Sequence, residues 1–285
     1  MNALLELRGV AYRYPDGSAG LHDCNLVLQP AKRHALLGAN GAGKSTLLQH
    51  LNALLRPTAG TVYWRGQPVD YGRAGVAALR RAVGLVFQNP ERQLFSAQVE
   101  EDVSFGPLNL GLDQATVRQR VASALALVGM TDYAQRPVHH LSFGQKKRVC
   151  IAGVLAMQPD VLLLDEPMAG LDAPMQLQLA TLLDTLAQRG VTIVLTTHDI
   201  DFAYRWADQI HLMAAGSCIA SGPAALVAAQ PQLLAAAGQQ VPLALALHAE
   251  LATRGLLPAS APPRSVDALL AALRASPQFA FKASA

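Results

Sequence analysis

The feature that most constrains this chain is a glycine-rich segment, Gly38-Ala39-Asn40-Gly41-Ala42-Gly43-Lys44-Ser45. It follows an apolar run that ends at Leu37 and precedes a helical pattern over residues 46–55, so it joins a strand to a helix. Glycines let successive backbone N–H groups close around phosphate oxygens, Lys44 supplies a mobile positive charge, and Ser45 offers a hydroxyl to Mg²⁺. The strand and helix on either side favour a phosphate-binding loop over a turn that only starts a helix.

Four β-rich apolar runs alternate with helical stretches, which indicates parallel strands joined by crossover helices. These runs cover residues 34–37, 83–87, 161–164 and 191–197. Each stops at a small or polar residue, namely Gly38, Gln88, Asp165 and His198. Because ligands of open α/β sheets bind at the carboxyl ends of the strands, these four ends predict one shared site.

Two adjacent carboxylates, Asp165 and Glu166, follow the run at residues 161–164. Adjacent side chains at a strand end point in different directions, so the two can take different roles. Asp165 is suited to the water shell of Mg²⁺, and Glu166 to polarising an attacking water. A solvated pair in a loop is the default interpretation of this dipeptide alone, and the Lys44 loop favours the catalytic one.

The other segments predict structure around this core. Residues 4–14, 21–29 and 61–69 are typical of short alternating strands in an antiparallel sheet. Residues 89–157 are mostly helical and interrupt the parallel sheet, and the composition shifts to Ala, Leu, Gln and Pro after about Ser221. We therefore expect one domain over 1–222, with 89–157 inserted as a helical subdomain, and a C-terminal extension over 223–285 with helical segments near 242–254 and 265–275.

Composition limits the classes of partner. Hydrophobic residues make up 51% of the chain and charged residues 15%, which indicates buried interfaces rather than disorder. A net charge of +3 with scattered Lys and Arg argues against a nucleic-acid partner. Three distant cysteines fit a reducing compartment. No apolar stretch approaches the roughly 20 residues that cross a bilayer, so we expect that the chain itself does not span a membrane.

Between the two motifs lies Leu141-Ser142-Phe143-Gly144-Gln145, and here the chain resembles the ABC transporter ATPases, whose pattern is LSGGQ. Phe143 replaces a glycine of that pattern, while Ser142 and Gly144 are in place. Ser142 and Gln145 also form a capping-box pattern, which predicts that a helix begins here with its positive dipole end exposed. A helix cap without a functional role is the alternative for these residues taken alone.

The resemblance covers about residues 4–222 and implies an α/β P-loop NTPase fold of the ABC ATPase type. That fold has a parallel-sheet core, an N-terminal antiparallel β subdomain and an inserted helical subdomain. It implies ATP and Mg²⁺ as cofactors, Glu166, Gln88 and His198 as catalytic residues, and Asp165 with Ser45 and Gln88 around the metal. The residues implied to bind nucleotide are Tyr14, Gly38, Asn40, Gly41, Gly43, Lys44, Ser45, Thr46, Ser142, Gly144, Gln145 and Asp172. Tyr12 competes with Tyr14 for the adenine stack.

A finer resemblance is to the ATPases of energy-coupling-factor importers, particularly those for cobalt and nickel. It is carried by residues 86–90, 93–95, 99–107, 142–153, 197–201 and 206–208. It implies a peripheral subunit at the cytoplasmic face of the membrane, paired with a second ATPase, a homodimer being the simpler assembly. A transmembrane coupling protein would dock near residues 92–95, and a separate membrane subunit would bind the substrate.

Alternatives remain at the level of substrate and class. A vitamin importer of the same type, or a soluble ABC ATPase in protein or iron-sulfur cluster assembly, would carry the same motifs. The adjacent His139 and His140 diverge by about 100° on a helix and have no Cys, Asp or third His close in sequence, so they do not predict a metal site. The metal carried by an importer need not touch this chain.

Overall fold

The computed structural model describes residues 3–276. Its strands are β1 (Leu5–Arg13), β2 (Ala19–Leu28), β3 (Arg33–Leu37), β4 (Ala59–Trp64), β5 (Gln67–Pro68), β6 (Val83–Val86), β7 (Val161–Leu164), β8 (Thr192–Thr197), β9 (Gln209–Ala214) and β10 (Ser217–Pro223). Its α-helices are α1 (Lys44–Leu51), α2 (Arg73–Ala82), α3 (Val99–Asn109), α4 (Gln114–Leu127), α5 (Phe143–Leu155), α6 (Ala173–Gln188), α7 (Ile200–Trp206), α8 (Ala224–Ala228), α9 (Pro231–Ala236), α10 (Leu243–Thr253) and α11 (Val266–Ala275).

The central sheet has six strands in the order β10-β9-β3-β8-β7-β6. Neighbours are parallel except for the outer pair β9 and β10, which is antiparallel. Every residue of β7 and β8 is buried, as expected for strands covered on both faces. The four strands predicted to end on polar residues are β3, β6, β7 and β8, which lie in one continuous block, so their carboxyl ends meet at one edge.

β6 and α1 end before their predicted carboxyl ends. β6 ends at Val86 because the Phe87 N–H donates to the side-chain oxygen of Gln93 (3.0 Å) instead of continuing the strand pairing. α1 ends at Leu51 rather than at residue 55. There the Asn52 side chain donates to the Val83 carbonyl, and Ala53 adopts a left-handed backbone conformation with φ 51°, which no α-helix continues through.

The predicted antiparallel sheet is present, with strand order β2-β1-β4-β5. Its inner face packs on α1 in a shared core that includes Leu7, Leu26, Leu47 and Leu48. This packing fixes α1, and therefore the loop that precedes it, between the two sheets. A second core joins the other side of the central sheet to helices α3–α6.

The segment between β6 and β7 contains α3, α4 and α5 in mutual contact, as the helical composition of residues 89–157 predicts. The domain limits 1–222 and 223–285 stay a proposal. β10 ends at Pro223 and α8 begins at Ala224, directly beside that limit. Within residues 3–276, no helix combines the length and apolar character needed to cross a membrane.

The C-terminal helices are attached to α7, the helix that follows His198. The Arg264 guanidinium donates to the carbonyls of Tyr204 (2.9 Å from Nε) and Ala207, at the carboxyl end of α7. The Asp201 carboxylate accepts from the Leu243 N–H (2.7 Å) at the start of α10. The predicted helical segments near 242–254 and 265–275 correspond to α10 and α11, and residues 277–285 of the predicted extension lie outside the described residues.

Candidate nucleotide-binding site

The predicted phosphate loop connects β3 to α1, and its backbone requires glycine at particular positions. Gly41 and Gly43 have φ values of 80° and 98°, which residues with a side chain rarely adopt. A Cβ atom on Gly43 would also lie 2.7 Å from the Gly20 carbonyl oxygen, and one on Gly38 would lie 2.4 Å from that of Met213. The sequence therefore folds here into a tight loop that larger residues would open.

The Lys44 side chain is held inside this loop. It is 7% exposed, and its ammonium donates to the carbonyls of Gly38 (2.7 Å) and Ala39 (3.1 Å). These neutral acceptors position the charge without cancelling it. An anion entering the loop would therefore meet an uncompensated positive charge at the start of α1, where the helix dipole also favours negative charge.

A cavity of about 400 Å³ opens beside the loop, and it brings together most of the predicted site residues. Its lining contains Tyr14, Asn40, Gly41, Gly43, Lys44, Ser45, Thr46, Gln88, Asp165 and Glu166 among these residues. Gly38 does not line the cavity but accepts a hydrogen bond from Lys44 at its base. The expectation that the strand ends converge on one site agrees with this geometry for Gln88, Asp165 and the loop.

The two carboxylates have different surroundings. Asp165 is 8% exposed, and its Oδ1 accepts from the Thr196 hydroxyl (2.7 Å). Glu166 has φ 46°, and its Oε2 lies 3.0 Å from His198 Nδ1. The side chain of His198 is 72% exposed, against 11% for Glu166, so the imidazole is the more open partner of the pair. The glutamate is thus oriented by one contact on its side chain and by a constrained backbone.

Ser45, Gln88 and Asp165 fit a Mg²⁺ ion by the chemistry of their donors. A hydroxyl, an amide oxygen and a carboxylate are the oxygen ligands that this hard cation prefers. All three side chains line the loop cavity. Oδ2 of Asp165 has no hydrogen-bond partner within residues 3–276, since Thr196 contacts Oδ1, and so it is free to act on the cation or its water shell.

Thr196 is a site residue that the sequence analysis missed. Its hydroxyl donates to Asp165 and accepts from the Glu166 N–H (2.8 Å), so one side chain links both carboxylate residues to β8. The signal was a buried threonine near the end of β8, in register with the residue after β7. Strand order was needed to use it, because Thr196 lies 30 residues from Glu166.

Lys147 is the second missed residue. Its side chain is almost fully buried on α5, and its ammonium donates to the carbonyls of Glu166 (3.0 Å) and Ala169 (2.7 Å). Burial lowers the pKa of this lysine to about 8, although the negative charge of Glu166 opposes the shift. The sequence signal was weak, because a lysine among polar residues near a helix start is usually solvated.

The two tyrosines differ in position. Tyr14 lines the loop cavity, and its hydroxyl lies 2.7 Å from the Thr46 hydroxyl. Tyr12 packs edge-on against both Tyr14 and His50, with ring centroids 5.0 Å apart in each pair, and does not line this cavity. The geometry favours Tyr14 over Tyr12 for a base entering the cavity, and the assignment stays a prediction.

The predicted segment at Ser142 lies outside the loop cavity. The capping box is present: Ser142 Oγ accepts from the Gln145 N–H (3.3 Å), and the Gln145 side chain accepts from the Ser142 N–H (2.9 Å). Gly144 is buried against Met175 and lines a separate cavity. Asp172 caps α6 through the Met175 N–H (2.9 Å). Ser142, Gly144, Gln145 and Asp172 therefore do not join the loop cavity of their own chain.

Comparison with known proteins agrees with this architecture. Residues 21–169 match the ABC transporter family. The chain is 47% identical over 272 residues to the cobalt import ATP-binding protein CbiO of Rhodobacter capsulatus, covering 95% of this chain and 97% of the relative. It is 48% identical over 219 residues to the energy-coupling factor transporter ATP-binding protein EcfA of Methanocaldococcus jannaschii, covering 77% and 78%.

A solved structure shows the same fold. The structure of cbiO1 from Clostridium perfringens, part of the ABC transporter complex cbiONQ, superposes with a TM-score of 0.74 at 39% identity. The match covers 89% of this chain and 96% of that one. The parallel-sheet core, antiparallel subdomain and helical segment predicted above are thus confirmed as an ABC ATPase fold. The chain belongs to the ABC transporter family and is an ATPase of the energy-coupling-factor type.

Proposed function

We propose that this ATPase works in a pair of subunits and powers the import of a transition-metal ion, cobalt or nickel. The observation that carries the proposal is that the predicted site residues lie at two separate places in one chain. The loop cavity contains the phosphate loop, the metal donors and Glu166, whereas Ser142 and Gly144 lie elsewhere in the same chain. A second subunit that brings its own Ser142 segment to this cavity would complete the site.

In this mechanism, Lys44 exchanges its two loop carbonyls for phosphate oxygens when ATP binds. Glu166 polarises the water that attacks the terminal phosphate, because its carboxylate is the one at the cavity that is not bonded to Thr196. His198 orients this carboxylate from 3.0 Å. Gln88 follows β6 and lines the same cavity, so its amide would help to hold that water.

Mg²⁺ would be held by Ser45 and Gln88, with Asp165 supporting its water shell. When bound, the cation neutralises negative charge that develops on the phosphate oxygens. Thr196 keeps the Asp165 carboxylate in one orientation. Ligation of this kind needs no cysteine or histidine.

The second subunit supplies the start of its α5 to the terminal phosphate. Ser142 and Gly144 lie at the positive end of that helix, where N–H groups and the dipole favour an anion. Asp172 starts α6 on the same side and would span the interface. Because one chain carries a complete set of both kinds of residue, a homodimer with two equal sites is the simplest assembly.

The relatives support the proposal of membrane partners. A cobalt import protein is 47% identical over nearly the whole chain, and the superposed cbiO1 is part of a cbiONQ complex. We infer a peripheral position at the cytoplasmic face, under a transmembrane coupling protein, with a separate membrane subunit for the substrate. Of the predicted docking residues, Phe95 is 64% exposed and packs edge-on against exposed Phe105. Gln93 and Leu94 instead turn inward, to the α5 backbone and the core.

The test is the cobalt and nickel content of cells that carry either the native chain or only its Glu166→Gln form, at equal protein level and trace metal supply. The amide keeps the shape of the glutamate but cannot accept the proton of the attacking water, so turnover is lost while ATP still binds. We expect one metal to fall selectively in the variant, measured by elemental mass spectrometry. Unchanged content of both metals, with purified native protein still hydrolysing ATP, would favour a vitamin importer or a soluble ABC ATPase in protein or iron-sulfur cluster assembly.

A further inference from the structure

A buried lysine supports the turn that carries Glu166. Lys147 is 1% exposed, and both of its hydrogen-bond acceptors are backbone carbonyls, those of Glu166 (3.0 Å) and Ala169 (2.7 Å). None of the ion pairs within residues 3–276 includes it. A buried ammonium is costly unless its donors are satisfied, so the two carbonyls must stay where they are as long as the lysine remains in place.

The same two carbonyls mark the ends of the turn. The Ala169 N–H donates to the Glu166 carbonyl (3.2 Å), which closes the turn over residues 166–169. Glu166 has φ 46°, a conformation that costs a residue with a side chain about 1–3 kcal/mol and persists only when its surroundings enforce it. Lys147 supplies that support from a separate element, because its ammonium bonds the carbonyl of Glu166 itself.

The other contacts of Lys147 lead to the start of α5. Phe143 lies four residues earlier on the helix, and its ring centroid is 5.4 Å from the Lys147 ammonium. The same ring packs on Gly170, where an added Cβ atom would lie 2.9 Å from it. Ser142 and Gly144 flank Phe143 in the chain. The first turn of α5 and the segment 166–170 therefore pack as one unit.

We propose that Lys147 is a positioning residue that holds the backbone of Glu166 and ties its orientation to the Ser142–Gln145 segment of the same chain. The inference rests on the proposed function, in which that segment contacts the nucleotide of the other subunit. Phe143, the departure from the family pattern, is part of this connection.

The test compares two adjacent lysines. Lys147→Met keeps the apolar stem and removes the ammonium, so we expect kcat for ATP to fall at least about tenfold, with KM changed less than about twofold because the loop cavity is intact. Lys146→Met is the matched control, since Lys146 pairs with Glu91 and not with the turn at residues 166–169, and its kcat should stay within about twofold of wild type. A Lys147→Met enzyme with wild-type kcat overturns the proposal.

A double variant separates positioning from a general packing defect. In a Glu166→Gln background there is no catalytic carboxylate to position, so adding Lys147→Met should change the residual rate by less than about twofold. A further tenfold loss in that background would mean that the lysine acts on something other than Glu166, and would also overturn the proposal. Circular dichroism and thermal melting of each variant establish that it is folded.

Lys147→Leu is the second variant if Lys147→Met does not fold, because it is shorter and also has no group that could donate to the two carbonyls. We expect the same loss of kcat, at least about tenfold, with KM changed less than about twofold, and a wild-type kcat would contradict the inference. Failure of the proposed function is distinguishable: if Glu166→Gln retains normal turnover, the role of Glu166 is wrong. If Glu166→Gln is inactive and Lys147→Met is normal, only the role of the lysine is wrong.

Discussion

Two surfaces of this chain carry the residues of one proposed site, and they differ in how they are built. The phosphate-loop face, formed by residues 38–46 with Gln88, Asp165 and Glu166, surrounds a cavity in which the charged groups are already oriented. The signature face, formed by Ser142–Gln145 and Asp172, uses its polar side chains to cap its own helices. The first face forms a cavity within one chain, whereas the second presents the start of two helices.

This difference teaches that the order of motifs along a chain does not give their arrangement in space. The signature segment lies between the loop and Glu166 in sequence, yet it does not line their cavity. Lys147 and Phe143 connect the two faces within one chain, through the turn at residues 166–170. Substitutions can therefore test the phosphate-loop face and the signature face separately.

The largest expected effect distinguishes the two faces by whether a substitution removes ATP binding or only turnover. Lys44→Ala removes the positive charge in the loop and should lower kcat/KM for ATP about 10³-fold or more, together with ATP binding by the single chain. Ser142→Asp keeps a good helix cap but places a negative charge towards the phosphate of the other subunit. We expect it to abolish turnover as well, yet to leave ATP binding by the single chain unchanged.

Calorimetric titration of ATP analogues into dilute protein measures that binding. Ser142→Asn, which caps the helix without a charge, is the matched control and should retain most of the turnover. If Ser142→Asp weakened binding by the single chain as strongly as Lys44→Ala does, the two faces would not be separate.

An intermediate effect concerns the hydroxyl that links the carboxylates. Thr196→Val has the same shape and leaves Asp165 Oδ1 and the Glu166 N–H without their partner, so kcat should fall about tenfold to hundredfold. Thr192→Val, at the opposite end of the same strand, removes a hydroxyl that accepts from the Ala31 N–H and should leave kcat within about twofold. Steady-state ATPase assays compare them, and equal losses would show that only strand stability is affected.

The prediction of the fold from sequence worked where burial is two-sided. β7 and β8 are covered on both faces, so their apolar runs are continuous and their ends are sharp. The predictions failed where a side chain outside the element decides where that element ends. Gln93 ends β6, and the side chain of Asn52, bound to the Val83 carbonyl, helps to end α1 at a point that periodicity does not mark.

The site was predictable to the same degree. The residues of the loop and the strand ends could be proposed because each motif is contiguous and its chemistry is explicit, and their roles stay predictions. Thr196 and Lys147 were missed because their partners lie 30 and 19 residues away, across a strand pair and from a helix to a turn. The sequence alone does not explain why phenylalanine stands at position 143, and the structure shows that its ring packs against Gly170.

The smallest expected effect tests the base-binding end of the phosphate-loop face. Tyr14→Ala should raise KM for ATP about fivefold with little change in kcat, because loss of a ring contact weakens ground-state and transition-state binding equally. Tyr12→Ala should raise it less, since Tyr12 does not line the loop cavity. The reverse order of the two KM values would assign the adenine stack to Tyr12.

The central claim, that each site is shared between two chains, is tested most directly by placing two substitutions in cis or in trans. Differently tagged chains are co-expressed and the mixed dimers are purified through both tags. With Lys44→Ala in one chain and Ser142→Asp in the other, one complete site remains, and we expect about half of the wild-type ATPase rate. With both substitutions in one chain and a wild-type partner, neither site is complete and the rate should be lost. An inactive trans dimer beside a half-active cis dimer would show that each site lies within a single chain, and would contradict the shared site.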